Sequence, residues 1–411
     1  MKRRLANLPL HGGKAPPWLF RRMTRLAGAV TMAIVDEFGP AEMLRRLADP
    51  WWFQAFGCVL GFDWHSSGVT TVTCGALKEA YKFFGTDLGI AVAGGKGATS
   101  RRAPDEIASA ADRLAVSAGD RLVYASRMSA KVDSAAVQDG FQLYHHAFLF
   151  TPAGQWCVIQ QGMNAKQKTA RRYHWLGETV DDFVCEPHGA ISDLALPRRA
   201  PKPGTGRQLT LLNMVADEAG ENRDKSAALV RENPDWLLSE IERYTEGPTL
   251  FAPKHHRLLP EDVNSRHLRR ILIHAHEQHP ESFEALLGTQ GVGPATILSL
   301  SLLAEVIFDA PASHRDPAER FRASAQESHQ VPPTAEPAAI ETEGRESDRP
   351  ERKWADYAYA HGGKDGTPFP VDRATYDRNI AILIEAVRKA RVGENDKMNA
   401  LRRLSGQEQR G

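Results

Sequence analysis

Asp133, Asp139, His145, His146 and Gln160 crowd into one stretch of chain, with Lys131 just upstream. Carboxylate, imidazole, amide and ammonium groups together are the ingredients of metal-assisted phosphodiester cleavage, in which carboxylates and a histidine hold a hard divalent cation against the scissile phosphate. On this reading Asp133, Asp139 and His146 hold Mg2+ or Mn2+ and orient water. Lys131 faces the phosphate, and His145 and Gln160 complete the catalytic set. No diagnostic metal-ligand spacing accompanies them. The plain alternative is that Asp139 caps a turn with Gly140 while one histidine fills the core. Asp63 and His65, in Gly61-to-Gly68, could join the same site, whereas the missing Gly-x-Ser-x-Gly elbow argues against Ser66 as a hydrolase nucleophile.

The sharpest motif runs from Leu286 to Ile297: a helix end, the turn Gly291-Val292-Gly293, and a new helix opened by Pro294. It resembles a helix-hairpin-helix. In that motif glycines let the backbone approach a phosphate, and the second helix points N–H groups at the anion without reading base sequence. Gly291, Gly293 and Thr296 are the expected contacts, and duplex or branched DNA the expected partner. A tight turn between core helices is the competing reading, because Leu298, Leu300, Leu302 and Leu303 are core-forming.

Further anion-binding features are scattered. His11-Gly12-Gly13-Lys14 and His361-Gly362-Gly363-Lys364 repeat one tetrapeptide, with Gly94-Gly95-Lys96 as a shorter echo. Paired glycines expose backbone donors and the Lys adds charge, so His11, Lys14, His361 and Lys364 are candidate DNA contacts, although none has nucleotide-binding P-loop spacing. Cations outnumber acids from Met1 to Arg46, and Gln160 to Trp175 carries cations and rings with no acid. Cations hold a phosphate backbone and rings stack on unpaired bases, which assigns Arg171, Arg172, Tyr173 and Trp175 to substrate contact. A solvated basic helix face is the alternative.

These groups need elements to position them. Pro16-Pro17 opens a helix through Leu19, Met23, Leu26, Val30 and Ile34, and Pro40 to Ala48 forms a second. Val69 to Thr73, Leu88 to Ala93 and Arg121 to Ser126 read as short strands. Pro152-Ala153-Gly154 turns Phe141–Thr151 back on Gln155–Gly162 as a hairpin, setting His146 opposite Gln160 and His145 opposite Gln161 on opposite sheet faces. Beyond a Pro- and Arg-rich break near Leu196, helices are expected at Leu209–Glu218, Lys225–Arg231, Asp235–Arg243 and Arg266–Glu277. The histidines among them lack zinc spacing and read as surface residues. The fold class is therefore α+β, a mixed α/β domain followed by an all-helical helix-hairpin-helix domain. The divisions are residues 1–196, 205–310, a disordered linker at 311–352, and a helical segment at 353–411 that packs on the helical domain.

Composition narrows the class further. The chain has 411 residues, 42% hydrophobic and 25% charged, with 52 Lys plus Arg against 51 Asp plus Glu, so charge is informative only locally. No apolar run reaches membrane-spanning length and no signal peptide is evident, which points to the cytoplasm. The 4 cysteines show no Cys-x-x-Cys pairing and read as reduced core residues. Monomer and homodimer both stay open.

The His11-Gly-Gly-Lys14 start, the Gly61–Gly68 segment, Asp139 to His146, Gln160 to Asn164, Ala170 to Trp175 and His361 to Arg373 together resemble a prokaryotic family classed as a domain of unknown function. The resemblance covers most of the chain, with Pro311 to Arg352 as an enlarged connector, and it implies no established reaction. A second resemblance is to helix-hairpin-helix DNA glycosylases, whose Pro-Val-Asp segment is matched by Pro370-Val371-Asp372. It implies Asp372 as catalytic acid, while Ala295 stands where bifunctional members carry Lys. The leading expectation is a DNA-binding protein that acts as a metal-dependent nuclease in repair or recombination. A base-excision enzyme and a non-catalytic DNA-binding protein are the alternatives, and a protein-interaction scaffold would show little salt-dependent DNA affinity.

Overall fold

A computed structural model describes residues 15–61, 67–192, 211–245 and 265–321. His11, Lys14, Asp63, His65, Ser66, His361, Lys364, Asp372 and the expected 353–411 helical segment lie outside them.

The architecture is α+β. Four helices come first: α1 (Pro17–Phe38), α2 (Pro40–Ala48), α3 (Pro50–Val59) and α4 (Gly68–Phe84). Proline at the first position starts α1, α2 and α3, where its missing N–H costs nothing, and Asp49 caps α3 through the N–H groups of Trp51 and Trp52. Strand β1 (Ala91–Lys96) leads to α5 (Ala103–Arg113) and α6 (Gly119–Lys131), which ends in a π-turn at Val132–Ala136. Then come β2 (Val137–Gln138), β3 (Gln142–Phe150), β4 (Trp156–Asn164), β5 (Thr169–Leu176), β6 (Ala190–Ser192) and β7 (Leu212–Asn213). Helices α7 (Gly220–Leu229), α8 (Pro234–Thr245), α9 (Ser265–Gln278), α10 (Phe283–Gly288) and α11 (Pro294–Phe308) follow.

Five strands make one antiparallel sheet in the order β1-β3-β4-β5-β6, and β2 pairs with β7. Strand alternation sends Ala147, Leu149, Cys157 and Ile159 into a core with α1–α4, and Phe148, Phe150, Val158, Tyr173 and Trp175 into a second core with α5–α11. The sheet is thus the middle layer of three. The β3–β4 hairpin turns at Pro152–Gly154, and its register pairs His146 with Gln160 and His145 with Gln161 as the turn chemistry requires. Tyr144 is the extra residue of a bulge in that register.

Several expected elements take another form. Val69–Thr73 opens α4 and Arg121–Ser126 lies in α6. Their β-branched or apolar runs favour strands locally, but Val69, Thr73 and Leu77, and Leu122, Ala125 and Ser129, bury one helical face each. In the described part of Leu209–Glu218, β7 and a short 3-10 turn replace the helix. β5 is a buried inner strand. One core runs from Ala91 through Val132 and Trp175 to Leu303 and Ala318, so the segments expected as separate α/β and helical domains share a single interior. The expected linker begins with packed chain, for Ser313 bridges to Asn213, and Ala312 and Ala318 are buried.

Helix α1 crosses α4 at Gly28, where a Cβ would stand 2.1 Å from Phe84 Cε2. Gly28→Val should therefore destabilise the fold by about 1–3 kcal/mol through overpacking, read as a lower denaturation midpoint at unchanged m-value.

Candidate functional site

Asp133, His146 and Gln160, three of the expected catalytic residues, meet inside the sheet, facing α6. Asp133 is fully buried in the π-turn and accepts from His188 Nε2 at 2.5 Å, Gln160 Nε2 at 2.7 Å and Trp175 Nε1 at 3.0 Å. Gln160 also donates to Ser129 O, at 3.1 Å, so both its amide protons are committed and its Oε1 must accept from His146 Nδ1, 3.0 Å away. His146 Nε2 then accepts from Ser126 Oγ at 2.8 Å. The result is a directed chain, Ser126 to His146 to Gln160 to Asp133. Its order is that of a nucleophile–base relay, but Ser126 is 2% exposed and no substrate atom can reach it in this conformation.

Asp139 joins a different set. Its Oδ2 accepts from Arg171 Nη1 and Tyr173 Oη, both at 2.7 Å, and its Oδ1 from Phe141 N at 3.1 Å. Arg171 also makes a bidentate pair with Asp316, both bonds at 3.0 Å, and lies over the Phe141 ring. Gln160 stands between His146 and Asp133, and Arg171 faces Asp139, so Asp133, Asp139 and His146 are not assembled as one donor set. Among the described residues no group of three or more His, Cys, Asp or Glu side chains is placed to hold a metal ion.

The face toward α1–α4 carries a second polar row. Arg172 donates to His174 Nε2 at 2.9 Å, Thr70 Oγ1 at 3.1 Å and Gln54 Oε1 at 2.9 Å, and lies over Phe53. Gln161 bonds Thr70, Tyr144 and the Ser67 carbonyl. His174 donates from Nδ1 to Leu47 O at 3.1 Å. Arg172, at 1% exposure, has its pKa lowered to about 10 by burial, and among the described residues it is hydrogen-bonded to no carboxylate. His145 is 1% exposed, and among the described residues neither ring nitrogen has a hydrogen-bond partner. Burial, and then the neighbouring His146 and Lys96, push its pKa down to about 3.

Arg171, Arg172, Tyr173 and Trp175, expected at a DNA surface, are therefore interior groups. An unbroken cationic stretch reads as solvated, yet β5 lies between β4 and β6 with helices on both faces. Sequence reasoning missed their partners. His188 sits in the turn Pro187-His188-Gly189, without periodicity, and Asp316 lies in a Pro-, Ala- and Arg-rich stretch that reads as linker. Asp316 comes with a strap: Arg320 bonds Glu186 and His188 O, and Arg315 bonds Glu218.

The hairpin is the exposed candidate. α10 ends at Gly288, Gly291 takes φ +89°, and α11 begins at Pro294. Lys131 donates to the carbonyls of Thr289 and Val292, and Gln138 Nε2 to Pro294 O at 2.9 Å. Lys131 thus holds the hairpin from inside, 158 residues away in sequence from Thr289, instead of facing a scissile bond. The turn bonds use Thr289 N and Val292 N, and among the described residues the N–H groups of Gln290, Gly291 and Gly293 have no protein acceptor. Gly291 needs its glycine conformation, whereas Gly293, at φ −146°, is extended and open to other residues. Thr296 is buried in the first turn of α11. Beside the turn, α9 presents His267, Arg270 and His274, with Ile271 against Gly291.

Two outcomes follow from the buried groups. Asp316→Ala leaves Arg171 short of its bidentate partner and should cost about 3–5 kcal/mol, read by denaturant unfolding. His145 stays neutral in the fold and titrates near 6.5 when unfolded, so its stabilising contribution is complete above pH 6.5 and is lost as pH falls toward 3. At pH 5 this removes about 2 kcal/mol relative to pH 7.5, and His145→Leu should flatten that slope of melting temperature against pH.

No curated protein and no solved structure matches the chain. A family model described as "Protein of unknown function (DUF763)" matches residues 4–371, and the chain belongs to that family.

Proposed function

We propose that the protein binds the sugar–phosphate backbone of DNA through the Thr289–Gly293 hairpin, as a binding module without base-sequence readout. The carrying observation is the polarity of that turn. Lys131 and Gln138 occupy the carbonyls of Thr289, Val292 and Pro294 from the protein side, while among the described residues the N–H groups of Gln290, Gly291 and Gly293 have no protein acceptor. The opening turn of α11 adds N–H groups that helix geometry leaves unpaired, and the positive end of its dipole. Such a surface favours an anion, and Arg270 on α9, which lines one groove with Gln290 of the turn, adds charge of the same sign. The contacts are to phosphate, so affinity follows counterion release more than sequence.

The nuclease reading draws no support from the buried acids, since each Asp133 oxygen already accepts a hydrogen bond and Asp139 is saturated by Arg171, Tyr173 and Phe141. The glycosylase alternative rests on Asp372, outside the described residues.

Gly291→Val puts a β-branched residue at φ +89° and a Cβ 3.3 Å from Ile271 Cγ1. In fluorescence anisotropy with labelled duplex over a salt series, it should lower affinity about tenfold or more, the worth of one or two charge-assisted hydrogen bonds. Wild-type affinity independent of salt, or a variant that binds like wild type, would overturn the assignment.

A further inference from the structure

Helix α9 and Gln290 of the hairpin line a shallow, open groove of about 320 Å³, with His267, Arg270, Ile271 and His274 on the helix side. These four recur at the i, i+3, i+4, i+7 spacing of one helical face. Ile271 is the floor. A Cβ on Gly291 would come within 3.3 Å of its Cγ1, so the groove floor and the N–H-bearing turn are in direct contact. Arg270 Nη2 lies 3.2 Å from His267 Nδ1, and since a guanidinium only donates, Nδ1 accepts. The groove therefore combines an apolar floor, two imidazole planes, a cation and the Gln290 amide, immediately beside a phosphate-binding turn.

We infer that this groove receives an unpaired nucleotide of the strand whose phosphate the hairpin holds, which gives the protein a preference for single-stranded or branched DNA over continuous duplex. The inference rests on the DNA-binding reading. Imidazole and guanidinium planes stack on a base whose face is free, and the Gln290 amide meets the base edge. A base within a continuous duplex has both faces stacked and its pairing edge occupied, and must leave the helix at a cost before it can enter. A surface that bound phosphate alone would need neither the apolar floor nor the rings around it.

The test measures anisotropy at one salt concentration with single-stranded, forked and continuous duplex probes of one sequence, for wild type, Gly291→Val, the double variant His267→Ala/His274→Ala, and His274→Phe. Wild type should favour the first two probes. The double variant should lose about tenfold affinity for those two, within the range of one lost stacking contact, and keep its duplex affinity. His274→Phe, which retains a ring, should keep the preference. If Gly291→Val binds every probe like wild type, the hairpin reading itself fails. If Gly291→Val loses binding but wild type treats the three probes alike, or the double variant weakens all three equally, the hairpin reading stands and the nucleotide groove is overturned. The altered histidines are on the surface of α9, and a melting temperature equal to wild type confirms that a change in binding reports the groove.

Discussion

Two guanidinium groups buried side by side on β5 set the terms for everything packed around them. Arg171 and Arg172 are neighbours in sequence and point to opposite faces of the sheet, and an arginine cannot shed its proton to escape burial. Each must be supplied with acceptors by other parts of the chain. Arg171 takes two carboxylates, Asp139 from the approach to β3 and Asp316 from beyond α11. Arg172 takes neutral oxygens and an imidazole, from α3, α4 and its own strand, with Phe53 against its face. The strand thereby ties both helical layers and the 311–321 strap to the sheet. An unmet buried guanidinium costs several kcal/mol, so these elements assemble together or not at all.

The same logic links the sheet interior to the exposed hairpin. Asp133 is fixed by three donors, and it lies in the π-turn that follows Lys131 and precedes Gln138. Those two side chains hold the hairpin carbonyls. A π-turn shifts backbone register within a helix and often marks a functional position. Here it lets one short segment point Asp133 into the sheet while its flanks reach the hairpin. The buried network acts on the hairpin by position.

How much of this was legible depended on whether local pattern and tertiary context agreed. The β3–β4 hairpin and its register could be read because turn chemistry and strand alternation both act within a few residues, and α1 and α2 because proline marks their starts. Val69–Thr73 could not, since its β-branched run favours a strand and only packing against Gly57 and α1 makes it helical. The hairpin glycines and the convergence of Asp133, His146 and Gln160 were visible. Their burial was not. Composition around Arg171 and Arg172 resembles a solvated surface, and the compensating Asp316 is 145 residues away in a stretch that looks like linker. His188 carries no periodic signal at all. The α9 face was present in the spacing of His267, Arg270, Ile271 and His274, and the search for zinc spacing passed over it.

That contrast bears on which groups can meet a ligand. Asp133, Asp139, His146 and Gln160, which read as catalytic by type, are committed to protein hydrogen-bond partners, and such networks favour a rigid, specified interior. At the hairpin the balance is reversed, with carbonyls satisfied from within and N–H donors directed outward. An exposed turn of this polarity is solvated when free and exchanges water for phosphate oxygen when bound, at little cost in reorganisation because Lys131 and Gln138 have already fixed its shape. On the proposed reading, affinity for an anion comes from the fold, through a lysine whose own charge is committed to the carbonyls of Thr289 and Val292.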